Sequence, residues 1–171
     1  MAIPSRTMSP EDFLFQVDKG SIVLDVRSPA EFLEGHIQGA VSWPLFSNEE
    51  RVQIGTLYKQ RSREDAVDLG LELIGPRMKE LAQFGRHLFE GQTSSDGSKV
   101  RNALLIHCWR GGMRSESVAW LLRTAGIPSV VLEGGYKAFR TYARMQFDRT
   151  IDFAVLGGLT GSAKTETLLE L

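Results

Sequence analysis

The side chains best suited to chemistry lie in one short segment, His107-Cys108-Trp109-Arg110-Gly111-Gly112-Met113-Arg114-Ser115. A strand, a short loop and a helix are predicted to follow one another here, and the backbone N–H groups of such a loop converge on a point that suits an anion. The two glycines permit the dihedral angles of the curl, and Arg114 offers a two-pronged donor to an oxyanion. A cysteine at that point is stabilised as the thiolate, the form that attacks. We therefore predict Cys108 as the nucleophile, with the anion bound by Arg110, Gly111, Gly112, Met113, Arg114 and Ser115.

Parts of this segment admit a second interpretation. Free cysteines are most often buried and inert, but a structural cysteine does not require a Gly-Gly loop with two arginines at a strand-to-helix turn. Trp109 and Met113 either pack or take part in binding, and His107 either tunes the thiol or packs beneath the loop. The spacing Cys-x-x-Gly-x-x-Arg-Ser also resembles the signature of cysteine-dependent phosphatases, whose loop binds phosphate in the same way.

A second glycine-rich segment, residues 158–165, follows a predicted strand at 153–156 and opens a helix, which is the context that a phosphate-binding P-loop requires. The glycine expected before the lysine is Ala163, whose methyl group crowds the loop if that position needs a positive φ. The chain ends at Leu171, so we expect residues 151–171 to be the truncated start of a P-loop-containing domain that binds ATP poorly or not at all. A glycine-rich turn without a ligand is the alternative. The candidate nucleotide-binding residues are Gly158, Gly161, Lys164 and Thr165.

A third group of candidates is basic. Lys137, Arg140 and Arg144 recur at helical spacing and therefore share a face. Such a face either contacts tRNA phosphates or is simply solvated, and the spacing does not decide between the two. His36 and His87 stand alone, and no Cys/His cluster has metal-ligand spacing. We therefore predict neither a bound metal nor a bound cofactor.

The elements that position these segments alternate between strands and helices. Strands are predicted at 21–26, 40–43, 103–107, 129–132 and 153–156, and a polar loop at 93–98. Helices are predicted at 9–20, 29–34, 115–124 and 136–147, and over most of 48–91 with breaks near Ser62 and at Gly75-Pro76. This alternation predicts an α/β fold, with a parallel sheet flanked by helices on both faces and reactive groups beyond the carboxyl ends of strands.

Composition limits the functional classes. The 171 residues include 20 Lys and Arg against 21 Asp and Glu, a net charge of −1, so RNA binding requires a local basic patch rather than a global field. No run of about 18 apolar residues predicts a membrane span, and the N-terminus lacks the apolar core of a signal peptide. One cysteine cannot form an internal disulfide, which favours the reducing cytoplasm.

Residues 24–32 (Leu-Asp-Val-Arg-Ser-Pro-Ala-Glu-Phe), followed by Gly35-His36-Ile37-Gln38-Gly39-Ala40, are similar to the N-terminal motif of the rhodanese family. The cell-cycle dual-specificity phosphatases share that fold and motif, so the resemblance implies a fold more than a reaction. It implies a rhodanese-like domain over residues 13–145. It also implies mainly architectural roles for Asp25, Arg27, Glu31 and His36.

Three segments resemble the tRNA 2-selenouridine synthase family, which joins a rhodanese domain to a P-loop domain: residues 108–115, 50–60 and 132–140. The resemblance implies replacement of sulfur by selenium in the wobble 2-thiouridine of tRNA, with selenophosphate as the selenium donor. A geranylated thio-intermediate made from geranyl diphosphate is also associated with that family. The selenium-carrying cysteine corresponds to Cys108. Sulfur transfer, phosphatase chemistry and an inactive relic are the alternatives.

Overall fold

The computed structural model describes residues 7–92, 102–148 and 155–169, and within them the chain forms one parallel sheet. Its strands are β1 (Thr7–Met8), β2 (Val23–Asp25), β3 (Val41–Ser42), β4 (Leu104–His107) and β5 (Ser129–Leu132). Their spatial order is β1-β5-β4-β2-β3, and every neighbouring pair is parallel. The predicted α/β class with a parallel sheet is confirmed.

Three of the helices begin at serine caps. Ser9, Ser47 and Ser62 each accept a hydrogen bond from the backbone N–H three residues further on, which satisfies one of the free donors of a first helical turn. The predicted interruptions near Ser62 and at Gly75-Pro76 are both present. The helices are α1 (Pro10–Asp18), α2 (Pro29–Leu33), α3 (Asn48–Gln60), α4 (Arg63–Ile74), α5 (Met78–Glu90), α6 (Met113–Thr124), α7 (Gly135–Phe147) and α8 (Lys164–Leu169).

Strand β4 shows that the sheet is covered on both faces. Leu104 and Ile106 pack into one apolar cluster with Leu122 of α6, whereas Leu105 packs into a second cluster with Phe13 of α1. Successive strand residues point to opposite faces of a sheet, so both faces of β4 are buried. This burial explains why the strand is a continuous apolar run rather than an alternating one. Within the described residues, no helix is both long and apolar enough to cross a bilayer.

Three features of the fold differ from the expectations. The two-residue edge strand β1, paired with β5, was not predicted because two residues carry no periodic signal. Helix α6 begins at Met113 rather than at Ser115, because Gly112 serves as its N-cap and its carbonyl oxygen accepts from the N–H of Glu116 at 3.1 Å. The strand predicted at 153–156 is wrong for residues 155–156, which are not in a strand; residues 153–154 lie outside the described residues, as does the polar loop at 93–98.

Candidate active site

Cys108 lies where the order of the strands reverses. After β2 the chain continues to β3 on one side of the sheet, and after β4 it continues to β5 on the other, yet β2 and β4 are neighbours. Their last residues, Asp25 and His107, are directly paired. Connections that leave adjacent strands in opposite directions open a crevice at the carboxyl edge of the sheet, where ligands bind in folds of this class. Cys108 follows β4 immediately and so lies at this crevice.

The loop after β4 contacts the turn after β5 backbone to backbone. Gly111 has φ +66°, and a Cβ atom there would lie 2.6 Å from the carbonyl oxygen of Leu132. Gly135 has φ +61°, and a Cβ atom there would collide with the carbonyl oxygen of Cys108 and the nitrogen of Gly111. A side chain at either position would force the two turns apart. The glycines are therefore required both by conformation and by space.

The first turn of α7 holds the cysteine loop through its free N–H groups. The N–H of Tyr136 donates to the carbonyl oxygen of Cys108 at 2.9 Å, and the N–H of Lys137 donates to that of Trp109 at 3.0 Å. The first N–H groups of a helix have no acceptor within the helix. The N–H groups of Tyr136 and Lys137 already bind carbonyl oxygens of the loop. The helix whose N-terminus faces the thiol is therefore α6 rather than α7.

The Cys108 thiol is 3% exposed and contacts the first turn of α6. Its Sγ lies 3.2 Å from Oγ of Ser115, which in turn donates to the carbonyl oxygen of Gly112 at 3.0 Å. The serine hydroxyl has one proton. It can accept from the thiol while donating to Gly112, or rotate and donate to the thiolate.

These contacts alter the pKa of Cys108. Burial raises it, but hydrogen bonds from the side chain and backbone of Ser115, the charge of Arg114 and the backbone of Arg110 outweigh burial, and the net effect is a pKa below the ordinary value. A lowered pKa increases the thiolate fraction near neutral pH. The same burial shields the sulfur atom from solvent, so a substrate must approach the Cys108 thiolate through the loop.

Arg114, predicted to grip the anion, is paired with a carboxylate of the rhodanese-like motif. Its Nη1 and Nη2 donate to Oε2 and Oε1 of Glu31 at 2.7 and 3.2 Å. Glu31 also accepts from the N–H of Ser28 at 3.0 Å and lies 3.7 Å from Nε of Arg51. Burial, the largest single influence, raises the pKa of Glu31, but Arg114, the N–H of Ser28 and the charge of Arg51 together outweigh it, and the net pKa is lowered. Glu31 is therefore ionised at neutral pH and neutralises Arg114 at the mouth of the loop.

A groove of about 680 Å³ opens beside the loop, along α7. Its lining includes the exposed cations Arg110 and Lys137, together with Tyr142 and Met145, which provide apolar surface. Of the three predicted basic residues of α7, Lys137 lines this groove. Arg140 and Arg144 are exposed on the same helix but are not among its lining residues.

A buried polar cluster supports the crevice from below. Asp25 pairs with Arg27, which also donates to the carbonyl oxygen of Gly35 at 2.7 Å and stacks its guanidinium 4.0 Å from the ring centre of Tyr136. His107 lies 3.6 Å from Asp25 and is fully buried. Burial, its largest influence, lowers the pKa of His107 to about 4. The imidazole is therefore neutral at pH 7, and it packs beneath the loop, one of the two positions considered from the sequence.

The segment predicted as a P-loop forms a turn ahead of α8. Nζ of Lys164 folds back and donates to the carbonyl oxygens of Gly158 and Leu159 at 2.9 and 2.7 Å. Ala163 has φ +54°, the only positive φ of a non-glycine residue among the described residues. Its position is the one at which a P-loop has glycine, and its side chain makes that conformation costly. Gly161 and Thr165 are exposed.

Two residues of this site were not assigned a role in it from the sequence. Glu31 was expected to be architectural, and Arg51 was noted only within the segment 50–60. No local pattern signals their meeting with Arg114, because Glu31 and Arg114 are 83 positions apart. The described ranges contain no group of three or more His, Cys, Asp or Glu side chains arranged to hold a metal ion.

Comparison with known proteins adds the relatives of this chain. It is 36% identical over 152 residues to the tRNA 2-selenouridine synthase of Pseudomonas fluorescens and 35% identical over 168 residues to that of Cronobacter sakazakii. These alignments cover 87% and 97% of this chain but only 40% and 42% of the relatives. The chain thus spans about two fifths of the length of the curated relatives that it matches.

A solved structure and a family model agree on the fold. The N-terminal domain of a protein from Clostridium difficile 630 is 32% identical and superposes with a TM-score of 0.68, over 80% of this chain and 98% of that domain. Residues 9–142 match the model of the rhodanese-like domain. Because that match covers most of the chain, this chain belongs to the rhodanese-like domain family, and the curated relatives that it resembles are tRNA 2-selenouridine synthases.

Proposed function

We propose that this chain is the chalcogen-carrying domain of a tRNA 2-selenouridine synthase, with Cys108 as the carrier. The observation that carries the proposal is the Cys108 thiol at the carboxyl end of β4, with its pKa lowered by Ser115 and Arg114. The similarity to relatives named tRNA 2-selenouridine synthase gives that thiol its proposed substrates. These are selenophosphate as selenium donor and the wobble 2-thiouridine of tRNA as acceptor.

Loading is a nucleophilic displacement at selenium. The Cys108 thiolate attacks the selenium atom of selenophosphate, and a sulfur–selenium bond forms as the selenium–phosphorus bond breaks. The electron pair of that bond leaves on phosphorus as phosphite, so phosphorus is reduced by the two electrons that selenium gives up. We propose that the amides of the loop, the start of α6 and Arg114, once it is released from Glu31, bind that oxyanion. The chain has one cysteine, so the selenium must leave Cys108 by reaction with an external group.

We propose the groove along α7 as the approach of the tRNA. Lys137 and Arg110 provide cations for phosphates, and Tyr142 and Met145 provide surface for a base or for an apolar substituent such as the geranyl group of a geranylated intermediate. Arg140 and Arg144 extend the positive surface of the same helix. Residues 151–171 are proposed to begin a nucleotide-binding domain, although the positive φ of Ala163 weakens this P-loop. Exchange on tRNA is therefore expected to need the parts of the relatives that this chain does not match.

A cysteine-dependent phosphatase is the second candidate, favoured by the Cys-x-x-Gly-x-x-Arg-Ser spacing of the loop. Such an enzyme needs a general acid for the leaving oxygen. Glu31 is a carboxyl group at the loop mouth, and its pKa is lowered by Arg114, Ser28 and Arg51 against the effect of burial. An ionised carboxylate in an ion pair does not donate a proton, so Glu31 does not fit the role of general acid, and we favour transfer of sulfur or selenium.

The test is to incubate the chain with selenophosphate and measure the intact mass, with Cys108→Ser as the control. A gain of one selenium atom on the parent and none on the variant is expected. An unmodified parent would contradict the proposal. Turnover of an aryl phosphate that is abolished by Cys108→Ser would instead establish the phosphatase. With thiolated tRNA and selenophosphate, we expect no multiple-turnover formation of 2-selenouridine by this chain alone.

A further inference from the structure

Glu31 occupies the groups that an incoming anion would use. Both Nη atoms of Arg114 point to its carboxylate, at 2.7 and 3.2 Å. The Arg114 side chain is 17% exposed and that of Glu31 is 22% exposed, so the pair lies in a partly shielded position at the mouth of the loop. Pairs of this kind are stronger than pairs in open solvent. An oxyanion that would bind the two Nη atoms of Arg114 must therefore displace the carboxylate of Glu31.

We propose that Glu31 is an internal competitor for the anion site of the Cys108 loop, and that binding of the donor exchanges the Glu31 carboxylate for the donor oxyanion on Arg114. This inference deepens the proposed function, on which it rests, because it concerns the anion that delivers the chalcogen. Glu31 is then a positioning residue that sets anion affinity and selectivity, in addition to its architectural role in α2.

Arg51 is a second cation near Glu31, and it makes the exchange feasible because Glu31 keeps a positively charged partner when Arg114 turns away. Nε of Arg51 lies 3.7 Å from Oε2 of Glu31, too far for a hydrogen bond. That Nε is shielded from solvent and has no hydrogen-bond acceptor within the part of the chain that the structure describes. The N–H of Ser28 continues to hold the carboxylate at 3.0 Å. Arg51 can therefore close on Glu31 as Arg114 turns to the anion.

Competition by a carboxylate also confers selectivity. A monoanion that takes Arg114 replaces one unit charge by another and gains little. A dianion, such as sulfate or the doubly ionised form of a phosphate-like donor, brings more charge to the guanidinium and to the amides of the loop. The native pair should therefore discriminate against monoanions, and its removal should strengthen binding of both kinds while weakening that discrimination.

The test compares two glutamates in matched surroundings. Glu31 lies in the first turn of α2, accepts from the N–H of Ser28 and pairs with an arginine. Glu50 lies in the first turn of α3, accepts from the N–H of Ser47 at 2.8 Å and pairs with Arg77 through both carboxylate oxygens, at 3.1 and 3.2 Å. Glu31→Gln and Glu50→Gln each keep the capping acceptor and remove the charge.

The readout is protection of Cys108 from iodoacetamide by sulfate, and by nitrate as the monoanion, with thermal unfolding to verify the fold. We expect Glu31→Gln to bind sulfate about fivefold more tightly, which corresponds to ~1 kcal/mol, and Glu50→Gln to match the parent. The gain should vanish when Arg114→Gln is present. If Glu31→Gln does not fold, Glu31→Asp, whose shorter side chain cannot reach both nitrogens of Arg114, should change the affinity in the same direction.

Unchanged or weaker sulfate binding by Glu31→Gln would overturn the inference, and so would a gain that persists with Arg114→Gln. A purely architectural Glu31 predicts unchanged or weaker sulfate binding, and a gain that persists without Arg114 would mean that the carboxylate does not act through Arg114. The measurement does not involve selenium, so its outcome is separate from that of the loading experiment. Tighter sulfate binding by a chain that never accepts selenium would refute the proposed function and leave the role of Glu31 standing.

Discussion

Replacing Ser115 by alanine removes the side chain that the structure places against the reactive sulfur. Ser115 is fully buried, and its Oγ lies 3.2 Å from Sγ of Cys108. The hydroxyl can donate to the thiolate, whereas alanine offers neither a donor nor an acceptor. We expect Ser115→Ala to destabilise the thiolate relative to the thiol, and therefore to raise the pKa of Cys108.

The size of the effect follows from the two protonation states. A hydrogen bond to a charged group contributes about 1.5–3 kcal/mol. The neutral thiol also contacts Ser115, so only part of that bond favours the thiolate, and the lower end of the range, ~1.5 kcal/mol, is the appropriate figure. This free energy corresponds to an about tenfold smaller thiolate fraction at any pH well below both pKa values. Well above the pKa of the variant, both proteins are fully ionised and the difference disappears.

The assay is the rate of alkylation by iodoacetamide as a function of pH. Cys108 is the single cysteine of the chain, so the rate reports this thiol alone. Ser117→Ala is the matched control. Its hydroxyl also donates to a carbonyl oxygen in the same helix, that of Arg114 at 3.1 Å, but Ser117 is exposed, and the sulfur contacts Ser115 and Gly112 instead.

The expected profile of the parent has its midpoint below the ordinary thiol value of about 8.5. The profile of Ser115→Ala should move to higher pH and that of Ser117→Ala should not. If the midpoints of parent and Ser115→Ala coincide, the serine does not stabilise the thiolate. If Ser117→Ala moves as far as Ser115→Ala, the effect belongs to the helix as a whole.

Two further predictions concern the support of the loop. Gly135→Ala should destabilise the fold more than Gly126→Ala does. Both glycines have a positive φ, but only a side chain at Gly135 would collide with the cysteine loop, whereas Gly126 faces open space and its replacement should cost only about 1 kcal/mol. Equal losses of stability in chemical denaturation would contradict the tight contact between the two turns. His107 has a pKa lowered to about 4, mainly by burial, so the unfolded state, with a His pKa near 6.5, takes up the proton first as pH falls. Stability should then decrease between pH 6.5 and 4, by about 3 kcal/mol in total, and His107→Gln should flatten this dependence of the free energy of unfolding; an equal slope in the variant would show that other groups cause it.

Much of the fold could be predicted because its signals are local. The apolar run at 129–132 is β5 with the predicted bounds, and Ser9 and Ser62 cap helices as their positions indicated. A fully buried strand must be apolar throughout, and a helix must cap its first turn, so each leaves a mark in adjacent residues. The strand predicted at 153–156 shows the limit of such signals. Apolar residues form a strand only where another strand pairs with them, and neither edge of the described sheet pairs with residues 155–156.

The sequence also placed the chemistry near Cys108 without showing how its loop is held. The glycines after β5 predicted a turn, but not that Gly135 packs against the backbone of Cys108. Nor does any pattern indicate that the first N–H groups of α7 bind the carbonyl oxygens of Cys108 and Trp109. These contacts depend on β5 lying next to β4, a choice made by the whole sheet.

The sequence by itself determined the class of fold, the approximate positions of most elements, and a cysteine at the end of a strand, because composition, periodicity and capping act over a few residues. Only the tertiary structure decided which carboxylate pairs with Arg114. Glu31 stands 83 positions away, and the two side chains come together because β2 and β4 are neighbours at the point where the strand order reverses. Pairing across that crevice is a property of the order of the strands, which local sequence patterns do not encode.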